Sequence, residues 1–130
     1  MTKTFNHKQC FDAFGVVPKN LRWSWSGRSD DGKVVAVTLW KNKFKEQAKV
    51  YDNFDMDIDD ERRRPGYSEM MENLQHALDH TDGIVKVIAA IPVDPARKTW
   101  SIGECYPTKM VMRITHFDLE TGRFALRAVA

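Results

Sequence analysis

Two tryptophans, Trp23 and Trp25, stand two residues apart between Arg22 and Arg28 in the stretch Asn20-Leu21-Arg22-Trp23-Ser24-Trp25-Ser26-Gly27-Arg28. Side chains alternate across an extended chain, so the tryptophans share one face while Arg22, Ser24 and Ser26 share the other. Flat aromatic surface beside guanidinium groups suits stacking on a nucleobase and gripping a phosphate, with Ser24 or the neighbouring backbone reaching the base edge. The same residue types also suit an ordinary core with a charged exterior, because aromatic rings dominate small cores. Trp40 and Trp100 extend the aromatic set, and Tyr67 follows Arg64 closely. The expected nucleic-acid-contacting residues are therefore Arg22, Trp23, Ser24, Trp25, Arg28, Trp40, Lys41, Arg64, Tyr67 and Trp100.

Charge is distributed unevenly. Of 18 acidic residues, six (Asp52, Asp55, Asp57, Asp59, Asp60 and Glu61) lie within ten positions, and set against 20 Lys+Arg the other twelve leave the rest of the chain at +8. A basic body of this kind can face a polyanion. The acidic segment reads as a solvated loop, a metal-attracting loop, or a flap that competes with nucleic acid. Arg62, Arg63 and Arg64 follow it directly, and either bind phosphate or pair with the acids. Lys41, Lys43 and Lys45 fit a solvated face as well as a phosphate-binding one.

Support for catalysis or metal binding is thin. His76 and His80 are spaced i, i+4 beside Glu69, a spacing that can hold a metal, but the helical wheel puts all three opposite the apolar face, and no HExxH is present. Asp55, Asp57 and Asp59 match the first positions of a calcium loop, yet Asp60 stands where that loop needs glycine and Gly66 where it needs glutamate. Asp94, Glu104 and Lys109 do not form the ExK element of a metal-dependent nuclease. Cys10 and Cys105 are far apart with no CxxC, and read as two reduced thiols, a single disulfide being the alternative. The expectation is a non-catalytic protein without metal or cofactor.

The elements that must position these residues follow from periodicity and turn chemistry. A helix is expected over His7–Phe14, stopping at Gly15, with Cys10 in the core. Residues 22–40 read as a β-hairpin around Asp30-Asp31-Gly32, the second run so apolar that it belongs at the centre of a sheet. A short strand is expected near Ala48–Tyr51, then a loop over Asp52–Pro65 in which Asp55–Asp59 could alternate as an edge strand. Ser68 suits the N-cap of a helix running to His80, with Tyr67, Met70, Met71, Leu74, Ala77 and Leu78 as its apolar face. Strands are expected over Ile84–Ile91, Thr99–Tyr106, Met110–Phe117 and Arg123–Val129, the last two joined as a hairpin. Two helices and six or seven short strands, mainly in hairpins, make an α+β domain with a small, strongly bent sheet or partly open β-barrel.

At 130 residues the chain is most simply one domain, 1–130, and its 42% hydrophobic content supplies a core. It carries neither a bilayer-spanning apolar stretch nor the apolar run of a signal peptide, so a cytoplasmic location is expected.

The order N-x-R-W-S-W, DG, T-L-W, P-G-Y-x-E and D-x-x-T-G-R-F, spanning roughly Phe11 to Ala128, resembles small domains associated with bacterial restriction systems, where a similar module sits beside an HNH-type nuclease. The layout is also similar to the PUA-like superfamily, which includes ASCH, EVE and SRA domains. Met70 stands where that pattern has arginine after the glutamate, and no HNH motif is present. The resemblance implies a reader of DNA or RNA, stacking on a modified or flipped base, with any nuclease or defence protein a separate chain and no membrane involvement. The alternative is a protein-interaction or anti-defence regulatory module acting through the acidic segment 52–61.

Overall fold

The computed structural model describes residues 6–20, 23–45, 49–54, 56, 58–96 and 102–129. Among them the chain forms α1 (His7–Ala13), β1 (Ser26–Arg28), β2 (Val35–Trp40), a 3-10 turn (Lys41–Lys43), β3 (Val50–Asp52), α2 (Ile58–Arg63), α3 (Tyr67–His80), β4 (Ile84–Pro92), β5 (Ile102–Asp118) and β6 (Arg123–Ala128). The fold is α+β, with three α-helices instead of two and one open six-stranded mixed sheet ordered β1-β2-β4-β5-β6-β3.

Local chemistry accounts for most boundaries. Asn6 and Gln9 form a reciprocal capping box that starts α1, and Gly15 ends it at φ 67°. The β1–β2 hairpin turns at Gly32, φ 72°, where Asp31 accepts from the Ser29 hydroxyl and the Lys33 amide. These bonds hold the Asp31 carboxyl below its ordinary range. Along β2, Val35, Val37 and Leu39 enter the main core beneath α3 while Ala36 enters a second core with Cys10, Phe11 and Ile88. That alternation makes β2 a strand covered on both sides.

Several expectations are corrected. Beyond the first hairpin, β2 pairs in parallel with β4, Val37 opposite Val87, because the α3 crossover between them returns the chain in the same direction. The short β3 crosses to the far edge and pairs with β6. Residues 58–63 of the expected loop are helical, with Asp59, Asp60 and Glu61 at the helix N-terminus and Arg62 and Arg63 at its end, the arrangement that the helix dipole favours. The strands expected at 99–106 and 110–117 are one continuous β5. Pro107, which has no N–H for the ladder, sits where the pairing with β4 slips between Lys86 and Ile88. Helix α3 starts two residues early, with Gly66 at its N-cap in place of Ser68. The buried side of α3 includes Glu69 and Asn73, while Leu78 is exposed.

Three strands separate β2 from β3 in the sheet, so in a flat sheet they would lie ~19 Å apart. Yet the Trp40 amide donates to the Tyr51 hydroxyl at 3.3 Å. The sheet is therefore strongly bent, without closing into a barrel.

The second core brings Cys10 and Cys105, 95 residues apart, to 3.5 Å between sulfurs as free thiols. Burial, and then the neighbouring thiol, pushes Cys10 up to about 12, and burial also raises Cys105. Reactivity follows the thiolate, so neither cysteine should react with iodoacetamide in the native protein at pH 8 and both should react in guanidinium, as mass spectrometry of the adducts will show. A second test concerns Gly66, where a Cβ would overlap the Trp25 ring and lie 2.6 Å from the Trp23 carbonyl oxygen. Gly66→Ala should cost about 1–3 kcal/mol in urea unfolding.

Candidate functional site

The bend leaves a recess where the two ends of the sheet approach each other. Trp25 lines it from the segment before β1, Thr38 and Trp40 from β2, Gly66 and Tyr67 from the start of α3, and Phe124 from β6. The Trp25 and Trp40 rings lie 4.8 Å apart, centroid to centroid, tilted by 56°. Methionines 56, 70 and 71 complete the apolar wall, and Asn53, Glu61 and Arg64 add polar groups. The open volume is about 50 Å³, room for a few water-sized spheres.

Each wall is held by identifiable contacts. Asn53 is buried and clamps the β5–β6 turn to the end of β3: its amide nitrogen donates to Gly122 O at 2.8 Å and its oxygen accepts from Phe124 N at 2.8 Å. Arg123 adds bonds to the Asn53 and Met56 carbonyls. Gly122 must be glycine: its φ is 79°, and a Cβ there would overlap the Tyr67 hydroxyl. Behind Trp25, the His7 ring lies edge-on to it at 6.4 Å, stacks on Phe11 at 4.5 Å, and bonds through Nε2 to the Thr38 hydroxyl at 2.9 Å.

Of the ten residues expected to contact nucleic acid, four meet at this recess: Trp25, Trp40, Arg64 and Tyr67. Arg64 lies 3.7 Å from Asp60 and 3.8 Å from Glu61, and its Nε is shielded from solvent with no hydrogen-bond partner among the described residues. Lys41 lies instead beside a second opening, a groove, with its ammonium 5.6 Å from the Tyr106 ring centroid. Trp23 is half-buried and meets Gly66 through its carbonyl. Arg22 and Trp100 lie outside the described residues.

Ser24 and Arg28 are engaged by the protein itself. Ser24 is 1% exposed, and its hydroxyl accepts from Asn20 N at 2.9 Å. The alternation expected of residues 22–26 thus has the serines facing inward and the tryptophans half-exposed. Arg28 donates to Asn73 Oδ1 at 3.0 Å and to His76 Nδ1 at 2.9 Å, and Asn73 in turn donates to Ser26 Oγ at 2.7 Å. Because the guanidinium can only donate, His76 Nδ1 accepts, and His76 Nε2 carries the hydrogen bonded to Gly32 O at 2.8 Å. This corrects the expected outward placement of Glu69 and His76, whereas His80 does face outward. Glu69 is buried and accepts from Lys19 N at 2.7 Å, His76 spends both nitrogens within the fold, and only His80 is exposed. Among the described residues no group of three or more His, Cys, Asp or Glu side chains converges on a metal-sized site. Asp55 and Asp57 lie outside them, and Asp59 is helical.

Sequence reasoning missed Thr38, Asn53 and Phe124. Each looks like ordinary strand filling, and only the curl of the sheet turns them toward one point. No protein-family model, curated protein or solved structure matches this chain. No described helix is long and apolar enough to cross a membrane.

Burial holds the His7 imidazole below its ordinary value of about 6.5. The unfolded chain therefore takes up this proton first as pH falls, so the His7 contribution to stability is full above 6.5 and is lost as pH drops through 6.5 toward the lower folded value. Urea midpoints should fall between pH 7.5 and pH 5.5, and fall less in His7→Gln, which cannot titrate.

Proposed function

We propose that the protein is a non-catalytic nucleic-acid-binding module that reads a modified or flipped base at the recess between Trp25, Trp40 and Tyr67. The observation that carries this reading is convergence. The motifs N-x-R-W-S-W, T-L-W, P-G-Y-x-E and T-G-R-F are scattered over a hundred positions of sequence, and each sends at least one residue into this recess. At the mouth stands the Arg64 guanidinium, beside Asp60 and Glu61, a group whose fork of donors suits a base-edge acceptor.

The size of the recess narrows the reading. About 50 Å³ admits a substituent of a base, such as a methyl group, and leaves the heterocycle to stack at the rim on Tyr67 or Trp25. Stacking of this kind contributes about 1–3 kcal/mol per base, which offsets the few kcal/mol needed to extrude a base from a duplex. The exposed Arg62 and Arg63 would hold the backbone, making affinity salt-sensitive. A PUA-like relationship and a role in bacterial restriction or defence belong to this same proposal.

The protein-interaction alternative needs free carboxylates along 52–61. Asp52 is buried and pairs with Lys45 at 2.9 Å, and Asp60 and Glu61 turn toward Arg64. Half of the acidic segment is thus directed inward, and this reading has less to stand on.

Tryptophan emission should be quenched on titration with a methylated oligonucleotide, more strongly than with the unmethylated one, and binding should weaken as salt rises. Arg64→Ala and Tyr67→Ala should each reduce that discrimination about tenfold or more while leaving the circular dichroism spectrum unchanged. Absence of quenching by single-stranded, duplex and base-modified oligonucleotides alike at low salt would overturn the reading.

A further inference from the structure

On the other side of Trp40 from the recess lies the roomier groove, about 550 Å³ in volume, within the range of small-molecule sites. Its floor is the cross-strand row Leu39, Ala89 and Tyr106, in register across β2, β4 and β5. Phe44 and Met110 flank the row, and Lys41 and Lys49 stand exposed at its edge. The sequence gives no hint of this site, because its floor reads as plain strand and its lysines as solvated surface.

Two features define what the groove can take. First, its charge is one-signed: both lysines are cationic and no carboxylate lines it among the described residues. Lys49 is held at the rim by its backbone, which is in the left-handed region at φ 54° and accepts Ala128 N at 2.8 Å. Second, apart from the Tyr106 hydroxyl the side chains lining the floor have little polar capacity left. The Thr108 hydroxyl donates to Val87 O at 2.8 Å and accepts from Met110 N at 3.1 Å. A nucleobase laid on this floor would leave edge donors and acceptors unpaired, at a cost, whereas a hydrocarbon body would not.

We infer that the groove is a binding site for a monoanionic amphiphile, a medium-chain carboxylate whose chain lies over Leu39, Ala89 and Met110 and whose carboxylate meets Lys41 and Lys49. This site is independent of the base-reading recess, and either assignment can fail without the other.

The test is calorimetric titration of the intact protein with sodium octanoate, with 1-octanol and adenosine monophosphate as comparison ligands. Saturable octanoate binding is expected, with octanol and adenosine monophosphate at least tenfold weaker. Replacing both lysines (K41A with K49A) should weaken octanoate roughly tenfold. Ala89→Leu, which fills the floor, should abolish binding, with an unchanged circular dichroism spectrum showing that the fold survives. Adding back bulk without charge at the rim, K41M with K49M, should leave octanoate as weak as the alanine pair does. The assignment is overturned if octanoate produces no saturable heat, if octanol or adenosine monophosphate binds as tightly as octanoate, if the lysine pair makes no difference, or if sedimentation shows a dimer that Ala89→Leu dissociates, which would make the groove a self-association face. None of these variants touches Arg64 or Tyr67, so oligonucleotide binding by them reports on the recess separately.

Discussion

The hydrogen bond from the Trp40 amide to the Tyr51 hydroxyl marks the constraint on which the rest of the structure depends. It joins β2 to a strand that is its neighbour in sequence but is separated from it by three strands in the sheet. A right-handed twist alone does not bring such strands together; the sheet must curl. Once curled, it has an inside, which the main core fills, and a seam, where Trp25, Tyr67 and Phe124 gather against Trp40. Trp40 is 5% exposed because it is the partition of this seam, with the aromatic recess on one side and the lysine-edged groove on the other.

Helix α3 is fastened to the hairpin by polar contacts more than by shape. A neutral hydrogen bond contributes only about 0.5–1.5 kcal/mol net, but leaving a buried partner unsatisfied costs about 1–3 kcal/mol. The chain Ser26–Asn73–Arg28–His76–Gly32 therefore adds little to stability when intact and much to specificity, because any rotation of α3 would strand several of its members. Glu69, bound to the Lys19 amide, works the same way at the start of the helix. Together these bonds fix the rotation of α3, and that rotation presents Tyr67, Met70 and Met71 to the recess.

Local chemistry made part of this legible in the sequence. The stop at Gly15, the Asp31-Gly32 turn, the apolar run of β2 and the periodicity of α3 all act within a few residues, and the elements they predict exist close to where they are expected. The missing parts are non-local. Nothing in Val50-Tyr51-Asp52 says that it will pair with β6, and the parallel β2–β4 pairing follows from a helical crossover and not from a turn. The outward placement expected of Glu69 and His76 fails because both are hydrophilic by type, while their burial depends on partners up to 50 residues away. The same applies to the site. Trp25, Trp40, Arg64 and Tyr67 stand out as residue types, but the inward turn of Ser24 and the internal use of Arg28 depend on which face of the hairpin meets α3.

The two openings differ in ways that keep their chemistries apart. The recess is narrow and aromatic, and Arg64 at its mouth is outnumbered by Asp60 and Glu61, so under the reading proposed for it shape and stacking would have to precede charge. The groove is wide and largely apolar, with Lys41 and Lys49 exposed at its rim, so under the assignment proposed for it apolar area and a single negative charge would decide what stays. Both share the Trp40 ring, which is packed on one side by Trp25 and anchored through its amide by Tyr51. A wall so confined has few alternative rotamers at this packing density. Occupancy on one side reaches the other only if the Trp40–Tyr51 bond gives way, and with it the curl of the sheet. The same rigidity separates the two openings, so the two ligand chemistries proposed for them stand or fall independently.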